Sequence, residues 1–251
     1  KSFLKSIFGA GALLSVPYCN NPEGLNEINH QINGIVDKCK GNMVGFRSSP
    51  IDKVKVGLIG IGNRGKTLIQ MFDWLIKREK AEIVALCDLD QKNIDYALNY
   101  LAKKQKVIPK TFANGKNDWE NLAKLEEVDM LLIATPWEWH TLMALFGMEN
   151  GKHVASEVPI SYTIEDCVKL VQTSERTKKH CIMIENCCYN KEELWIMNMI
   201  QEGVFGELTH AECAYNHDLR ALLLHDTYYK NQWRMKHHTE RNGNFYTTHG
   251  I

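Results

Sequence analysis

Val54-Lys55-Val56-Gly57-Leu58-Ile59-Gly60-Ile61-Gly62-Asn63-Arg64-Gly65 is the stretch that decides the fold of this 251-residue chain. An apolar run enters a Gly-x-Gly-x-x-Gly turn, and apolar residues then recur at helical spacing through Leu68, Phe72, Leu75 and Ile76. In a strand–turn–helix unit the three glycines divide the work. Gly60 makes the tight turn, Gly62 lets the backbone approach a pyrophosphate, and Gly65 lets helix and strand pack closely. The helix N-terminus offers N–H groups and a positive dipole end to phosphate. A second apolar strand, Ile83-Val84-Ala85-Leu86-Cys87, ends at Asp88. An acid about 20 residues past the glycines is where the ribose hydroxyls of NAD are held in such folds. Strand, turn, helix and acid together make NAD the expected cofactor, with Asn63 and Arg64 inside its binding turn.

Working outward, apolar strand runs alternate with helical patterns. Strands are expected at 54–59, 82–87, 130–134, 153–156 and 181–184, and helices at 66–77, 91–104, 140–150 and 164–177. That alternation predicts an α/β fold with a Rossmann-type parallel sheet. Each strand runs into a polar or glycine-rich cluster: Gly60–Gly65, Asp88-Leu89-Asp90, Thr135-Pro136-Trp137-Glu138-Trp139-His140, Glu157-Val158-Pro159 and Glu185-Asn186-Cys187-Cys188-Tyr189. Strand C-termini of a parallel sheet share one edge, and ligands bind outside it, so these clusters are expected to converge on one crevice. Beyond about residue 190 the pattern changes. A helix is expected over 192–201 and an alternating strand over 206–215, followed by a polar, aromatic and His-rich stretch. This reads as the start of a second, α+β domain with an open, mainly antiparallel sheet, cut before its closing elements. The expected divisions are 1–19, 20–52, 53–190 and 191–251.

The chain carries 30 basic and 30 acidic residues, a formal net charge of zero, and no basic block. It therefore lacks the electrostatic footprint of a nucleic-acid binder. No apolar run is long enough to span a membrane as a helix. Lys1-Ser2-Phe3-Leu4-Lys5 before an apolar run to Val16 has the shape of an export signal, and Phe3-Leu4-Lys5 resembles the tail of a twin-arginine consensus. A periplasmic location is expected, or a cytoplasmic one if residues 1–19 are not a signal. Residues 20–52, rich in Asn and Gly, read as a linker or lead-in arm. Of the eight cysteines, Cys87 and Cys181 lie in strand runs as buried thiols, and no Cys-x-x-Cys pair exists, so neither a disulfide framework nor a zinc site is expected. His217-Asp218, His225-Asp226 and His237-His238 fit no known metal-ligand spacing.

The glycine motif, Asp88, Thr135-Pro136, Gly151-Lys152-His153-Val154 and Glu157 resemble the Gfo/Idh/MocA oxidoreductase superfamily. More narrowly, Pro136-Trp137-Glu138-Trp139-His140, Glu185-Asn186-Cys187-Cys188-Tyr189, Asn216-His217-Asp218-Leu219-Arg220, Trp233-Arg234 and Tyr246-Thr247-Thr248-His249-Gly250 resemble the NAD-dependent α-N-acetylgalactosaminidases of glycoside hydrolase family 109. The likeness runs from about Val54 to Ile251. Two departures separate the chain from the superfamily's dehydrogenases. Their Glu-Lys-Pro is here Glu157-Val158-Pro159, and the Asp they tend to place four residues before the active-site His is here Phe245.

The resemblance implies a glycosidase that needs no carboxylate pair, a recognised exception among glycosidases. Its cycle is redox-neutral: oxidation at C3 of the sugar, elimination across C2 and C1, addition of water, and reduction, with NAD retained throughout. It further implies that His249 takes the 3-hydroxyl proton, that Tyr246 touches sugar or nicotinamide, and that Tyr189 and Glu157 are candidates for handling the C2 proton. Trp137, Glu138, Trp139, His140, Glu157, Val158 and Asn186 would line the nicotinamide side, and Tyr246, Thr247, Thr248 and His249 would also bind the cofactor. Arg234 would reach cofactor or sugar oxygens, and Tyr215 the sugar. The two tryptophans suit a sugar platform. The expected partner is a small-molecule or glycan substrate with terminal N-acetylgalactosamine, and the unseen part of the second sheet suggests homo-oligomer formation. Two other readings stay open: an NAD-dependent sugar dehydrogenase with net turnover of cofactor, and a non-catalytic sugar- or NAD-binding protein.

Overall fold

Four apolar runs form the centre of a parallel sheet because each is shielded on both faces. These are β1 (Val54–Ile59), β2 (Ala81–Cys87), β4 (Met130–Ile133) and β5 (His153–Ser156). Val56, Leu58, Ile83, Leu86, Leu131 and Ile133 are fully buried, as expected of strands covered by helices above and below. In the computed structural model, residue 34 and residues 39–186, 190–212, 214–225, 228–229 and 233–240 are described. Two short strands, β3 (Lys110–Phe112) and β6 (Cys181–Met183), complete the sheet at its edges. The strand order is β3-β2-β1-β4-β5-β6, and all neighbours are parallel. The chain works outward from β1 in one direction and then returns to place β4 on its other side. The topological switch point, where a crevice opens, is therefore between β1 and β4.

The helices between these strands are α1 (Asn63–Lys77), α2 (Gln91–Leu101), α3 (Trp119–Ala123), α4 (His140–Glu149) and α5 (Ile164–Thr177). Asp90 caps α2 by accepting from the Lys92 N–H, and Thr163 caps α5 by accepting from Asp166. The core packs Ile59, Val84, Leu131, Ile133 and Val154 of the sheet against Trp119 and Leu122 of α3, Met143 and Met148 of α4 and Leu170 of α5. Neither β3 nor α3 was expected from the sequence.

Part of the lead-in arm is anchored. The backbone N–H groups of Lys40, Gly41 and Asn42 all donate to the carboxylate of Glu175, which is buried near the end of α5. Phe46 then lies 5.3 Å from the ring of His180, which stacks in turn on His153. The expected export signal and most of the arm lie outside the described residues.

A first compact unit ends at Met183 and a second begins at Ile184. The second holds α6 (Lys191–Gln201), α7 (Arg220–Leu223) and α8 (Trp233–Glu240). The strand expected over 206–215 is not formed among the described residues, which carry no ladder there. Alternation prepares a segment for a sheet, but a strand exists only when a neighbour pairs with its backbone. The antiparallel sheet expected for this unit is likewise not seen among its described residues. No described helix is long and apolar enough to cross a membrane.

Candidate dinucleotide-binding site

The glycine turn between β1 and α1 sits at the switch point and is held from three directions. Gly60 has φ +90°, and a Cβ there would lie 2.7 Å from the Ala134 carbonyl at the end of β4. A Cβ on Gly65 would fall on the Gly60 carbonyl oxygen, so this glycine is what lets α1 start so close to the strand. Gly62 differs: it is exposed, and a Cβ built there meets nothing within 4 Å. Its neighbour Asn63 is exposed as well. No side chain caps α1 at Gly62. Clear space over a helix N-terminus is what a pyrophosphate needs, and the cradle fits a dinucleotide.

From the β2 side, Asp88 accepts from the Ile61 N–H at 2.6 Å, from the Asp90 N–H at 2.8 Å and from the Asn93 side-chain amide at 3.1 Å. The acid expected to hold ribose hydroxyls thus also grips the glycine turn. From the β5 side, Arg64 Nε lies 2.6 Å from Glu157 Oε1, the Glu157 side chain being 11% exposed. The Glu157 N–H donates to the Ile133 carbonyl of β4.

His140, at the start of α4, is 1% exposed. Its Nδ1 lies 2.7 Å from the Pro159 carbonyl oxygen and its Nε2 2.8 Å from that of Thr135. Burial holds this imidazole below its ordinary pKa, against the opposing pull of the two carbonyls and of Glu157 and Glu138. The adjacent Thr141 hydroxyl donates to the Ile160 carbonyl at 2.9 Å. The loops after β4 and β5 are therefore clamped together by α4. In the same region Trp137 is 5% exposed, which makes its ring a packing element and not an open sugar platform. Trp139 is half-buried, with Lys116 4.8 Å from its ring centroid. Glu138 is exposed and Val158 half-buried.

The first unit thus gathers Gly60, Gly62, Asn63, Arg64, Gly65, Asp88, Trp137, Glu138, Trp139, His140, Glu157 and Val158 at the C-terminal edge of one sheet. Asn186, Tyr215 and Arg234 belong to the second unit. There the Asn186 N–H donates to Glu185, Tyr215 OH lies 2.8 Å from His217 Nδ1, and Arg234 donates to the Tyr229 hydroxyl. Tyr189, Tyr246, Thr247, Thr248 and His249 lie outside the described residues, as do Cys187 and Cys188. The loop after β3 was missed by the sequence reading. Its Asp118, buried, accepts from Asn114 and Asn121, and its Lys116 reaches Trp139. The Asn114-Gly115 turn was the available signal. Cys87 is not a nucleophile here, since burial, aided by Asp118 and Asp88, pushes its thiol up to about 12. Cys181 is likewise pushed up to about 12 by burial, although the residue is only partly buried by exposed area. Among the described residues no group of His, Cys, Asp and Glu is arranged to hold a metal.

A six-stranded parallel sheet with an open glycine cradle at its switch point defines a dinucleotide-binding Rossmann domain. Comparison with known families agrees. Residues 54–185 match the oxidoreductase family with an NAD-binding Rossmann fold, and residues 189–251 match the glycosyl hydrolase 109 C-terminal domain. The chain belongs to the Gfo/Idh/MocA oxidoreductase family, joined to a segment of the glycosyl hydrolase 109 type. A glycosyl hydrolase family 109 protein of Shewanella sp. (strain W3-18-1) is 41% identical over 210 residues, covering 84% of this chain and 45% of the relative. One from Shewanella baltica (strain OS195) is 40% identical over the same extent. The chain thus spans about 45% of the length of these relatives. The fold is shared with the WlbA dehydrogenase of Bordetella pertussis, solved with NADH and UDP-GlcNAcA, at TM-score 0.53 and 22% identity over 64% of this chain and 44% of that one. It is shared also with scyllo-inositol dehydrogenase of Lactobacillus casei, solved with NAD(H) and scyllo-inositol, at TM-score 0.55 and 20% identity over 62% and 43%.

Proposed function

We propose that this protein hydrolyses terminal α-linked N-acetylgalactosamine by a redox-neutral sequence of oxidation, elimination, addition and reduction. The observation that carries the reading is the joining of an intact NAD cradle to a segment matching the glycosyl hydrolase 109 C-terminal domain. When bound, NAD supplies reversible hydride acceptance; the protein supplies binding and orientation. In this reading the turn from Gly60 to Gly65 holds the pyrophosphate and Asp88 the ribose hydroxyls. The loops at 137–140 and 157–158, with Asn186, wall the nicotinamide side. Arg234, Tyr215 and Tyr246 contact sugar or cofactor, and His249 accepts the 3-hydroxyl proton, imidazole titrating near working pH. Tyr189 and Glu157 are the candidates for handling the C2 proton. Residues 1–19 are proposed to direct export.

The test uses the full-length gene product with an aryl α-N-acetylgalactosaminide in D2O, reading the released sugar by proton NMR. Hydrolysis with deuterium at C2 is the expected result. Hydrolysis with hydrogen retained at C2 overturns the mechanism. An intact glycoside with accumulating NADH makes the protein a sugar dehydrogenase. Binding of sugar and NAD without any turnover makes it a non-catalytic binding protein.

A further inference from the structure

We infer that Glu157 serves the site as a positioning residue acting through Arg64, and is not the group that removes the C2 proton. Three observations converge on this. First, Arg64 Nε and Glu157 Oε1 are 2.6 Å apart in a pair whose side chains are 34% and 11% exposed. That is a charge-assisted hydrogen bond largely withdrawn from water. One carboxylate oxygen of Glu157 is thereby engaged by the dinucleotide turn.

Second, the backbone that carries Glu157 is anchored. Its own N–H is held by the Ile133 carbonyl, and the residues after it are held by α4. His140 faces the Pro159 carbonyl at 2.7 Å, and Thr141 donates to that of Ile160 at 2.9 Å. These contacts fix residues 157–160 as a preformed wall of the crevice.

Third, the other end of the pair lies in the dinucleotide cradle. Arg64 stands in the first turn of α1, between Gly62 and Gly65. Asp88 holds the same turn from the β2 side through the Ile61 N–H. The turn is therefore suspended between two carboxylates, one at the end of β2 and one at the end of β5. Removing the β5 anchor loosens the start of α1, where the pyrophosphate binds. Glu157 then influences the reaction through cofactor placement, and Arg64 and Glu157 function as one unit.

The part of this inference that concerns C2 rests on the glycosidase reading above; the part that concerns NAD does not. The test is a double-mutant cycle in the full-length gene product with Arg64→Gln, Glu157→Gln and the pair together. NAD affinity is read by fluorescence titration, and C2 exchange by NMR in D2O. Each single variant is expected to weaken NAD binding about tenfold, the double being no weaker than the worse single, as for two groups sharing one interaction. Both singles are expected to slow C2 exchange by the same factor, with Arg64→Lys recovering part of the loss. Effects on NAD that multiply in the double overturn the coupling of Glu157 to Arg64. Loss of C2 exchange in Glu157→Gln alone, with Arg64→Gln still exchanging, makes Glu157 the base and overturns the inference. If the unmodified protein neither hydrolyses nor exchanges, the glycosidase reading has failed, and the NAD cycle still decides whether Glu157 acts through Arg64.

Discussion

The backbone N–H of Ile61 donates to Asp88 Oδ2 across 2.6 Å, tying the glycine turn after β1 to the end of β2. The same carboxylate also receives the Asp90 N–H and the Asn93 amide. One side chain therefore shapes the cradle at the position where the proposed function places the ribose hydroxyls. Asp88→Asn keeps the size but puts an amide against N–H donors and removes the charge. Hydrogen bonds to a charged group contribute about 1.5–3 kcal/mol each, and the losses here are shared. NAD affinity is expected to fall at least about tenfold, with a loss of fold stability of about 1–2 kcal/mol. Titration with NAD and NADP, alongside urea unfolding, checks this. Unchanged NAD affinity would remove Asp88 from the site.

The three glycines of the turn should separate into two kinds when each is changed to Ala. Gly65→Ala drives a methyl into the Gly60 carbonyl, and Gly60→Ala adds left-handed strain to a clash with Ala134. Both are expected to destabilise the domain by about 2–4 kcal/mol. Gly62→Ala has open space and is expected to change stability by less than about 0.5 kcal/mol, as exposed positions do. It should nevertheless weaken NAD binding about tenfold or more, because the methyl occupies the room where the pyrophosphate approaches. Normal NAD binding by Gly62→Ala would mean the phosphates lie elsewhere.

The central strands were legible because burial on both faces writes itself as an uninterrupted apolar run, as in Val84 to Cys87 and Leu131 to Ile133. The converging clusters were legible for a topological reason, since parallel strands end on one edge. The short edge strand β3 was not, because Lys110 and Thr111 are exposed and bear no apolar pattern; pairing with β2 alone makes it a strand. Five-residue α3 is too short to show a period. At 206–215 alternation is not accompanied by a strand among the described residues, because it says nothing about whether a partner strand is present. The contacts that organise the site join Ile61 to Asp88 and Arg64 to Glu157, and linear spacing does not announce such pairs. Asp88 and Glu157 could be read one by one, but their grip on Ile61 and Arg64 needed the fold.

The anchored arm makes its own prediction. Glu175 collects three successive backbone N–H groups from 40–42, an arrangement in which a carboxylate satisfies several donors at once. Glu175→Gln replaces one acceptor oxygen by an NH2 group facing N–H donors. Amide hydrogen exchange at 40–42 should quicken by about tenfold or more, with a loss of about 1–3 kcal/mol in stability. Exchange unchanged at those amides would show that the arm is held by Phe46 and its neighbours alone.

Stability should also fall on the acid side through His153. Its Nδ1 accepts the His180 N–H at 3.0 Å, so the ring must be unprotonated at that atom. Burial, followed by Lys179 and His180 and opposed by Asp129, holds its pKa below the ordinary value. The sign follows from linkage: a histidine with a lowered folded pKa takes up protons more readily in the unfolded chain. Its contribution to stability is full above the unfolded value of about 6.5 and is lost as pH falls towards the folded one. His140, also lowered, acts in the same direction. Urea unfolding measured from about pH 7.5 down to pH 5 should therefore show decreasing stability, with no matching loss between pH 7 and 8. His153→Asn retains an acceptor for the His180 N–H but cannot titrate, so its profile should be flatter over the same range. A variant as acid-sensitive as the parent would assign the slope to other groups.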